Sequence, residues 1–351
     1  MKLNIKSHNL TDIINLKHGI YNPLKEFVSK EDFLNIVNNL NTKQKKFFPF
    51  PIFFNVSLNV YKKIRLQKKL NLYYKSIKVC ELNINSFYKL DKIKIGSKIF
   101  GTRDKNHPGF KHFLNTGEYF LDADIKKFNN KILKKVYFIS PDKIKKKIFK
   151  KNLRTVVGFH TRNVPHKGHE WIHNFGLKKC DGLLIQPMIG QFRKYEFKDQ
   201  YIIKTNLILI KKIYKNPKIF FAVYNSYPKY GGPREAMLHA IVRKNYGCSH
   251  FLIGRDHAGV KNYYKKYESQ KICKKYEKKL GIKIIIFNEP FLCNKCHKII
   301  NIENHGCTNN SIQKISGTFI RSRLIKKKKI PLEIMRLAIS STINKNSIIN
   351  K

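Results

Sequence analysis

Apolar runs of strand length alternate with helical patterns through the second half of the chain. The apolar runs lie at 155–158, 182–185, 218–223, 250–253 and 283–287. Between them, residues 170–177, 199–214 and 234–246 repeat apolar side chains at the spacing of an amphipathic helix. Strands that alternate with helices in this way predict a parallel sheet covered on both faces.

The first 150 residues follow a different pattern. Short segments typical of β-strands, such as 53–60, 76–80 and 98–101, are separated by turns, and a lysine-rich stretch at 141–151 closes the region. The change near residue 150 predicts a β-rich N-terminal domain followed by an α/β region. The final segment, 315–351, is typical of a short loop followed by helices.

The charge of the chain raises the question of a nucleic-acid partner. Lysine and arginine number 72 against 22 acidic residues, a formal net charge of +50. The basic residues are scattered along the whole chain, and no helix-turn-helix, zinc-finger or RNA-binding signature accompanies them. We therefore expect no specific nucleic-acid partner, although a basic nucleic-acid-binding protein stays open as an alternative.

The cysteine content and the hydropathy of the sequence indicate in which cellular compartment we expect the protein. Seven cysteines, without regular pairing distances, favour a reducing environment over a disulfide framework. No apolar stretch of about 18 residues and no apolar core of a signal peptide occur in the sequence. These features predict a cytoplasmic protein that does not interact with membranes.

A dense polar motif follows the first apolar run of the α/β region. Residues 160–169 read H-T-R-N-V-P-H-K-G-H and lie between a predicted strand and a predicted helix. Histidine, arginine and asparagine donate hydrogen bonds to anionic oxygens, and a helix N-terminus adds amide groups and a positive dipole end. Transfer of a nucleotidyl group needs such donors, because negative charge builds up on the phosphates. Helix capping by His166 and His169 in a solvated loop is the alternative.

A second polar motif, G-R-D-H-A-G at 254–259, follows the apolar run at 250–253. Its two glycines permit close approach of the backbone to a ligand, and Arg255 and His257 can pair with phosphates. The alternative is a turn closed by an ion pair between Arg255 and Asp256.

A third motif, I-S-G-T-F-I-R at 315–321, places small hydroxyl residues before a helix. Ser316 or Thr318 can cap this helix, and the helix start together with Arg321 can hold a phosphate. Capping explains the two hydroxyl residues equally well.

These motifs, together with G-P-R-E-A at 232–236, resemble those of the ATP sulfurylase family, and they occur in the family's order over nearly the whole chain. The resemblance implies a PUA-like β-barrel at 1–150, a Rossmann-like nucleotidyltransferase catalytic domain at 151–305 and a small C-terminal α/β subdomain at 306–351.

The resemblance also implies roles for individual residues. The catalytic segment would be Thr161, Arg162 and Asn163. Sulfate would be bound by His160, Arg162 and the backbone of Ala258. The residues expected to bind ATP are His160, Asn163, His166, His169, Gly254, Arg255, Asp256, His257 and Phe291.

The implied reaction is an in-line attack of sulfate on the α-phosphorus of ATP, with Mg²⁺-bound pyrophosphate leaving. The family also implies a homo-oligomer. A related nucleotidylyltransferase with another acceptor is the alternative enzyme, although the T-R-N and G-R-D-H-A-G segments favour sulfate. The sequence does not fix the physiological direction of the reaction.

The sequence departs from the family at several points. His160 replaces the usual glutamine, so we expect altered sulfate affinity or pH dependence with activity retained. Cys293, Cys296 and Cys307, with His305 or His297, could form a structural zinc site, the alternative being free thiols. The sequence contains no G-x-x-x-x-G-K-S/T phosphate loop, so we expect no fused adenylylsulfate kinase domain.

Overall fold

The computed structural model describes residues 1–190, 195–301 and 312–349. The chain packs as two compact units, and each unit is assembled from three separate stretches of sequence. Unit 1 consists of Met1–Lys143, Tyr227–Gly247 and Arg255–Ile284, and unit 2 of Ile144–Ser226, Cys248–Gly254 and the chain from Ile285 onward.

The secondary structure of residues 1–150 mixes helices with strands. In chain order the elements are β1 (Lys2–Asn4), α1 (Ser7–Lys17), α2 (Lys30–Asn39), β2 (Phe54–Val56), α3 (Leu58–Ile64), β3 (Lys69–Tyr74), β4 (Ile77–Tyr88), α4 (Lys92–Phe100), α5 (Pro108–Leu114), β5 (Tyr119–Lys126), a 3-10 helix (Asn130–Lys135) and α6 (Pro141–Lys150).

Beyond residue 150 strands and helices alternate. The elements are β6 (Val156–Thr161), α7 (Lys167–Leu177), β7 (Gly182–Ile189), α8 (Asp199–Ile208) with a π-helical extension (Leu209–Tyr214), β8 (Ile219–Phe221), β9 (Tyr224–Asn225), α9 (Pro233–Asn245), β10 (His250–Ile253), α10 (Glu268–Lys275), α11 (Glu277–Leu280), β11 (Lys283–Ile286), β12 (Phe291–Cys293), β13 (Ile299–Ile300), β14 (Ile312–Lys314), α12 (Gly317–Ile325), α13 (Leu337–Ser340) and a 3-10 helix (Lys345–Ser347).

Unit 1 is built around a five-stranded sheet in the order β1-β3-β4-β5-β2. β1 is parallel to β3, and the other neighbouring pairs are antiparallel. Phenylalanine rings form much of the packing, with Phe120 lying 5.6 Å from Phe33, 5.3 Å from Phe53 and 6.2 Å from Phe113 between ring centroids. Aromatic pairs at these separations stabilise a core beyond the area that they bury.

Two segments predicted as strands in this region are helical or partly helical. Residues 98–101 end α4, which is capped at its start by the Asp91 carboxylate and at its end by Gly101 with a φ of +68°. In 53–60, only Phe54–Val56 form a strand, and α3 begins at Leu58. The prediction was wrong because short windows omit the caps that decide where a helix begins and ends.

The G-P-R-E-A segment begins α9 and helps to hold unit 1 together. The Arg234 guanidinium donates to the carbonyl oxygens of Ile36 at 3.3 Å, Val37 at 2.7 Å and Pro49 at 3.1 Å. It therefore satisfies carbonyl groups at and beyond the end of α2, almost 200 residues earlier in the chain. This part of the motif has a structural role.

Unit 2 is built around a sheet in the order β11-β10-β6-β7-β8, and β9 also pairs with β7. β6 is parallel to both β10 and β7, and β7 is parallel to β8. Counted along the chain, these strands stand in the order five-four-one-two-three, the arrangement of doubly wound nucleotide-binding sheets. The predicted alternation of strands and helices is confirmed here.

A single hydrophobic cluster joins this sheet to the C-terminal helices of unit 2. Val157 and Leu183 on the sheet belong to the same buried cluster as Ile320 of α12, Met335 and Ile339. A small antiparallel sheet, β13-β12-β14, precedes α12. Across the described parts of the chain, no helix combines the length and apolar character needed to cross a bilayer.

Candidate active site

The first polar motif forms the loop between β6 and α7. β6 ends at Thr161, whose Oγ1 accepts a hydrogen bond from the Asn163 amide at 3.1 Å, so the chain turns as soon as the strand ends. The strand order reverses between the neighbours β6 and β10. In doubly wound sheets, ligands bind outside the carboxyl ends of the strands at such a reversal. His160, Thr161, Arg162 and Asn163 therefore lie at the edge of the sheet where the sequence predicts a ligand.

His166 caps the following helix. Its Nδ1 accepts a hydrogen bond from the amide of His169 at 3.2 Å, so the capping alternative considered for the sequence is observed. An Nδ1 that accepts must be unprotonated, and the neutral ring then carries its proton on Nε2. Burial lowers the pKa of His166 to about 3. This histidine is therefore a neutral donor with Nε2–H available to a ligand oxygen.

His169 and His173 continue a row of histidines along α7. The His169 ring stacks on His166 with centroids 3.7 Å apart and planes inclined by 22°. Burial, with the added effects of His166 and His173, holds the pKa of His169 well below its usual value. His173 is fully buried, and its Nδ1 lies 2.7 Å from the hydroxyl of Tyr214. All three rings are neutral near pH 7, because burial penalises the charged form.

Arg162 is a cation in the loop that follows β6. Its side chain is partly buried at the loop, and none of the carboxylates that the structure describes forms an ion pair with it. Burial lowers the pKa of the Arg321 guanidinium, and the positive charge of Arg162 lowers it further. An arginine in this setting can bind an external anion through its planar set of donors.

The third motif meets the loop from α12. Ser316 caps this helix through a hydrogen bond from the Phe319 amide to its Oγ at 3.2 Å. Arg321, in the next turn, donates from Nη1 to Oδ1 of Asn163 at 2.7 Å. The structure thus brings together residues that lie more than 150 positions apart in the sequence.

The second motif begins at the end of β10 in unit 2 and continues in unit 1. Gly254 follows β10, and a Cβ at this position would stand 3.1 Å from the ring of Phe287. Arg255 and Asp256 form an ion pair at 2.9 Å, as the structural alternative predicted. Asp256 is half exposed, so this pair contributes little to stability.

The next two residues of the motif have unusual environments within unit 1. Ala258 has a φ of +57°, in the left-handed region that residues with a side chain seldom adopt. The Nε2 of His257 lies 3.0 Å from Nδ1 of His239, and burial, together with the charge of Arg243, lowers the pKa of His257 to about 3. A strained backbone position beside a neutral histidine is typical of functional sites.

Phe291 and the cysteines lie around the small sheet. Phe291 begins β12, and the buried Cys293 ends it. The Cys293 amide donates to the carbonyl of Lys298 at 2.9 Å, which closes a turn containing the partly buried Cys296. Cys307 and His305 lie outside the described residues.

Sequence comparison identifies the family. A sequence model of the ATP-sulfurylase family matches residues 135–346, and a model of the PUA-like domain matches residues 1–130. The chain belongs to the ATP-sulfurylase family. Its N-terminal part is a PUA-like domain, and the remainder is an ATP-sulfurylase domain.

Individual members of the ATP-sulfurylase family match along most of their length. A sulfate adenylyltransferase of Pyrococcus abyssi is 33% identical over 345 residues, which cover 97% of this chain and 89% of that protein. One of Ignicoccus hospitalis is 34% identical over 334 residues, with 95% and 87% covered. These identities extend over both matched domains.

A solved structure shares the fold. The hexameric APS kinase from Thiobacillus denitrificans superposes on 97% of this chain with a TM-score of 0.72 and 14% sequence identity. This chain covers 62% of that longer chain, less than two thirds of it. At such an identity the likeness concerns the fold alone.

Several residues near the motif loop were not predicted from the sequence. His173 lies four residues after His169 on α7, a helical spacing that could have identified it. Tyr214 and Glu196, which contact His173 and Arg321, have no local signal, because only the fold brings them close. For Arg321 the sequence suggested phosphate binding at the helix start, and its contacts with Asn163 and Glu196 were not predicted.

Proposed function

We propose that this chain joins sulfate to the α-phosphate of ATP, giving adenosine 5′-phosphosulfate and pyrophosphate. The observation that carries the proposal is the loop at the end of β6, where Arg162 has no counter-ion among the described carboxylates and His166 is a neutral donor. Membership of the ATP-sulfurylase family and the sulfate adenylyltransferases among its relatives support the choice of substrates.

We assign roles within this reaction as follows. Arg162 binds sulfate, aided by His160 and by the backbone at Ala258. Thr161, Arg162 and Asn163 form the catalytic segment. The residues assigned to ATP are His160, Asn163, His166, His169, Gly254, Arg255, Asp256, His257 and Phe291.

The proposed reaction can be catalysed by hydrogen-bond donors that stay neutral, because it requires no proton transfer. A sulfate oxygen attacks the α-phosphorus, the bond to the bridging oxygen of pyrophosphate breaks, and no proton needs to move. Catalysis then consists of holding the two anions in line and stabilising the charge on the transferring phosphate. His166 suits this task, because its cap at Nδ1 leaves Nε2–H as a donor and its low pKa keeps the ring from accepting a proton near pH 7.

Mg²⁺ enters with ATP as part of the substrate in this proposal. The loop from His160 to His169 offers histidine, arginine and asparagine donors and no carboxylate until Glu170. Magnesium prefers oxygen ligands, so the phosphate oxygens themselves would hold it. The residues of the loop would contact the remaining phosphate oxygens.

We propose a structural zinc ion at Cys293 and Cys296, with Cys307 and His305 as further ligands. The turn between Cys293 and Lys298 supports the first half of such a site, because zinc knuckles bring two cysteines together across a short turn. The ion would stabilise the fold of this segment and take no part in the reaction. Metal analysis of the purified protein and of Cys296→Ser tests this assignment.

The finer architecture also belongs to the proposal. We propose a closed β-barrel in the PUA-like domain, domain boundaries at 1–150, 151–305 and 306–351, a homo-oligomer and a cytoplasmic location. Because α12 and α13 share a hydrophobic cluster with the parallel sheet, we expect the C-terminal subdomain not to fold when expressed alone.

Pyrophosphate release from ATP and Mg²⁺, with and without sulfate, tests the function. We expect release that depends on sulfate in the unchanged protein. In Arg162→Ala it should fall by about two orders of magnitude or more, as when a donor to a developing charge is removed. Arg65→Ala is the matched control, because Arg65 is exposed at the end of α3 in the PUA-like domain.

Two outcomes would overturn the proposal. Release of pyrophosphate at a rate that does not depend on sulfate would indicate a nucleotidylyltransferase with a different acceptor. No release, combined with RNA affinity that falls steeply with salt, would favour a basic nucleic-acid-binding protein.

A further inference from the structure

Arg321 is held by three polar side chains within unit 2. Its Nη1 donates to Oδ1 of Asn163 at 2.7 Å and lies 3.3 Å from a carboxylate oxygen of Glu196. Its Nη2 donates to Oγ1 of Thr318 at 3.2 Å. The side chains of Arg321 and Glu196 are only 14% and 11% exposed. The guanidinium is therefore fixed in one orientation and largely removed from water.

The contact with Arg321 determines which way the amide of Asn163 points. A guanidinium has donors and no acceptor, so the atom facing it must be the carbonyl oxygen of the amide. The Nδ2 group, which carries two donors, then lies on the opposite branch of the carboxamide. Asn163 thus presents donors and no acceptor to the other side, as binding of an anionic oxygen requires.

Two further contacts hold Asn163 in place. Its backbone amide donates to Oγ1 of Thr161 at 3.1 Å. A Cβ built on Gly317 would come within 2.2 Å of Oδ1 of Asn163, so only glycine leaves room for the carboxamide at the start of α12. The side chain of Asn163 is therefore fixed by its backbone, by α12 and by Arg321.

Glu196 makes the arrangement electrostatically possible. Burial lowers the pKa of Arg321, the charge of Arg162 lowers it further, and the carboxylate of Glu196 opposes both effects. Two arginines this near each other repel, and a buried cation without a partner is costly. Glu196 offsets the charge of Arg321, which leaves the charge of Arg162 available for an anion.

We propose that Arg321 is a positioning residue that orients the Asn163 carboxamide so that Nδ2 faces the reacting phosphate, with Glu196 as its counter-ion. This inference rests on the proposed function. Arg321 acts through Asn163 and does not touch the substrate. The two arginines therefore have different roles. Arg162 binds an anion, and Arg321 fixes the orientation of the neutral donor Asn163.

A double-mutant cycle between Arg321 and Asn163 tests the proposal. We expect Asn163→Ala to lower kcat by about 100-fold, the size found when a donor to developing charge is removed. Arg321→Ala should lower kcat by a similar or smaller factor, with little change in the KM for ATP. The double variant should be no slower than Asn163→Ala alone, because residues that act as a unit are not additive.

Conservative variants separate positioning from folding. Arg321→Lys should recover little of the rate, because a single ammonium group cannot reproduce the planar set of donors. Glu196→Gln should also lower kcat, since it keeps the shape of the side chain and removes the counter-ion. Arg323→Ala is the matched control two residues further along α12, where the partly exposed guanidinium donates to the carbonyl of Lys329 and lies over the ring of Phe319. Thermal melts establish that each variant folds.

The outcomes distinguish this inference from the proposed function. If the unchanged protein releases pyrophosphate in response to sulfate but the two alanine variants multiply their effects, Arg321 binds substrate directly and the inference is wrong. A rise in the KM for ATP in Arg321→Ala, with kcat unchanged, would also overturn it. If the unchanged protein shows no sulfate-dependent release, the proposed function itself fails.

Discussion

The ammonium group of Lys229 lies 3.2 Å from the carboxylate of Asp12, although 217 residues separate them in the chain. Both side chains are almost fully buried, at 3% and 5% exposure. The carboxylate also accepts hydrogen bonds from the hydroxyl groups of Tyr227 at 2.9 Å and Tyr21 at 3.1 Å. This network fastens the second stretch of unit 1 to α1.

Removal of Lys229 should therefore destabilise unit 1. Lys229→Met leaves the Asp12 carboxylate buried without its cation, which should lower the free energy of unfolding by about 3–5 kcal/mol. Lys126→Met is the control, because its ion pair with Asp124 is exposed and should contribute less than about 1 kcal/mol. Urea denaturation measures both values. Equal stability of the two variants would contradict the structural role of the buried pair.

Substitution of His166 should separate capping from ligand binding. Asparagine at this position can still accept the hydrogen bond from the His169 amide, but it lacks the Nε2–H of the ring. We expect His166→Asn to have a melting temperature close to that of the unchanged protein, while its rate of pyrophosphate release falls. His166→Ala should lose in addition about 1 kcal/mol of stability with the cap. An active His166→Asn would argue against a phosphate contact by the ring.

The buried His173 should make unit 2 sensitive to acid. Burial lowers its folded-state pKa to about 3, whereas an unfolded chain takes up the proton near pH 6.5. The contribution of His173 to the free energy of unfolding should thus be fully present above pH 6.5 and be lost as the pH drops toward 3. Between pH 7 and pH 5 this group alone should lower the free energy of unfolding by about 2 kcal/mol. Urea denaturation at both pH values should show that His173→Gln loses about 2 kcal/mol less unfolding free energy between pH 7 and pH 5 than the unchanged protein does.

Tyr214→Phe is the matched control for the acid sensitivity. It removes the hydroxyl 2.7 Å from His173 but keeps the buried imidazole, so the pH dependence should persist. A pH dependence that is the same in His173→Gln as in the unchanged protein would show that other groups cause it.

His160 should tune sulfate binding. The resemblance to the family implies glutamine at this position, and both side chains can donate to a sulfate oxygen, but of the two residue types only histidine has an ordinary pKa near neutral pH. We expect His160→Gln to retain activity and to change the KM for sulfate or its dependence on pH. A KM for sulfate that matches the unchanged protein at every pH would refute this role.

Sequence patterns predicted the parts of the site that are close in the chain. The strand, loop and helix around 160–169 followed from hydrophobic periodicity, and the caps at His166 and Ser316 were among the alternatives that the local motifs left open. The pairing of Arg321 with Asn163 and Glu196 could not be predicted in this way, because it depends on how α12 packs against the parallel sheet. The same limit applies to Arg234, whose partners are carbonyl groups near α2.

The interleaved composition of the two units constrains the order in which the protein can fold during synthesis. The PUA-like region leaves the ribosome first, yet α9, α10 and the partner of Asp12 are made more than 80 residues after Lys143. A nascent chain that stops at residue 143 must expose surface that Arg234 and Lys229 later cover. Release of the N-terminal region from chaperones should therefore wait for synthesis of most of the protein.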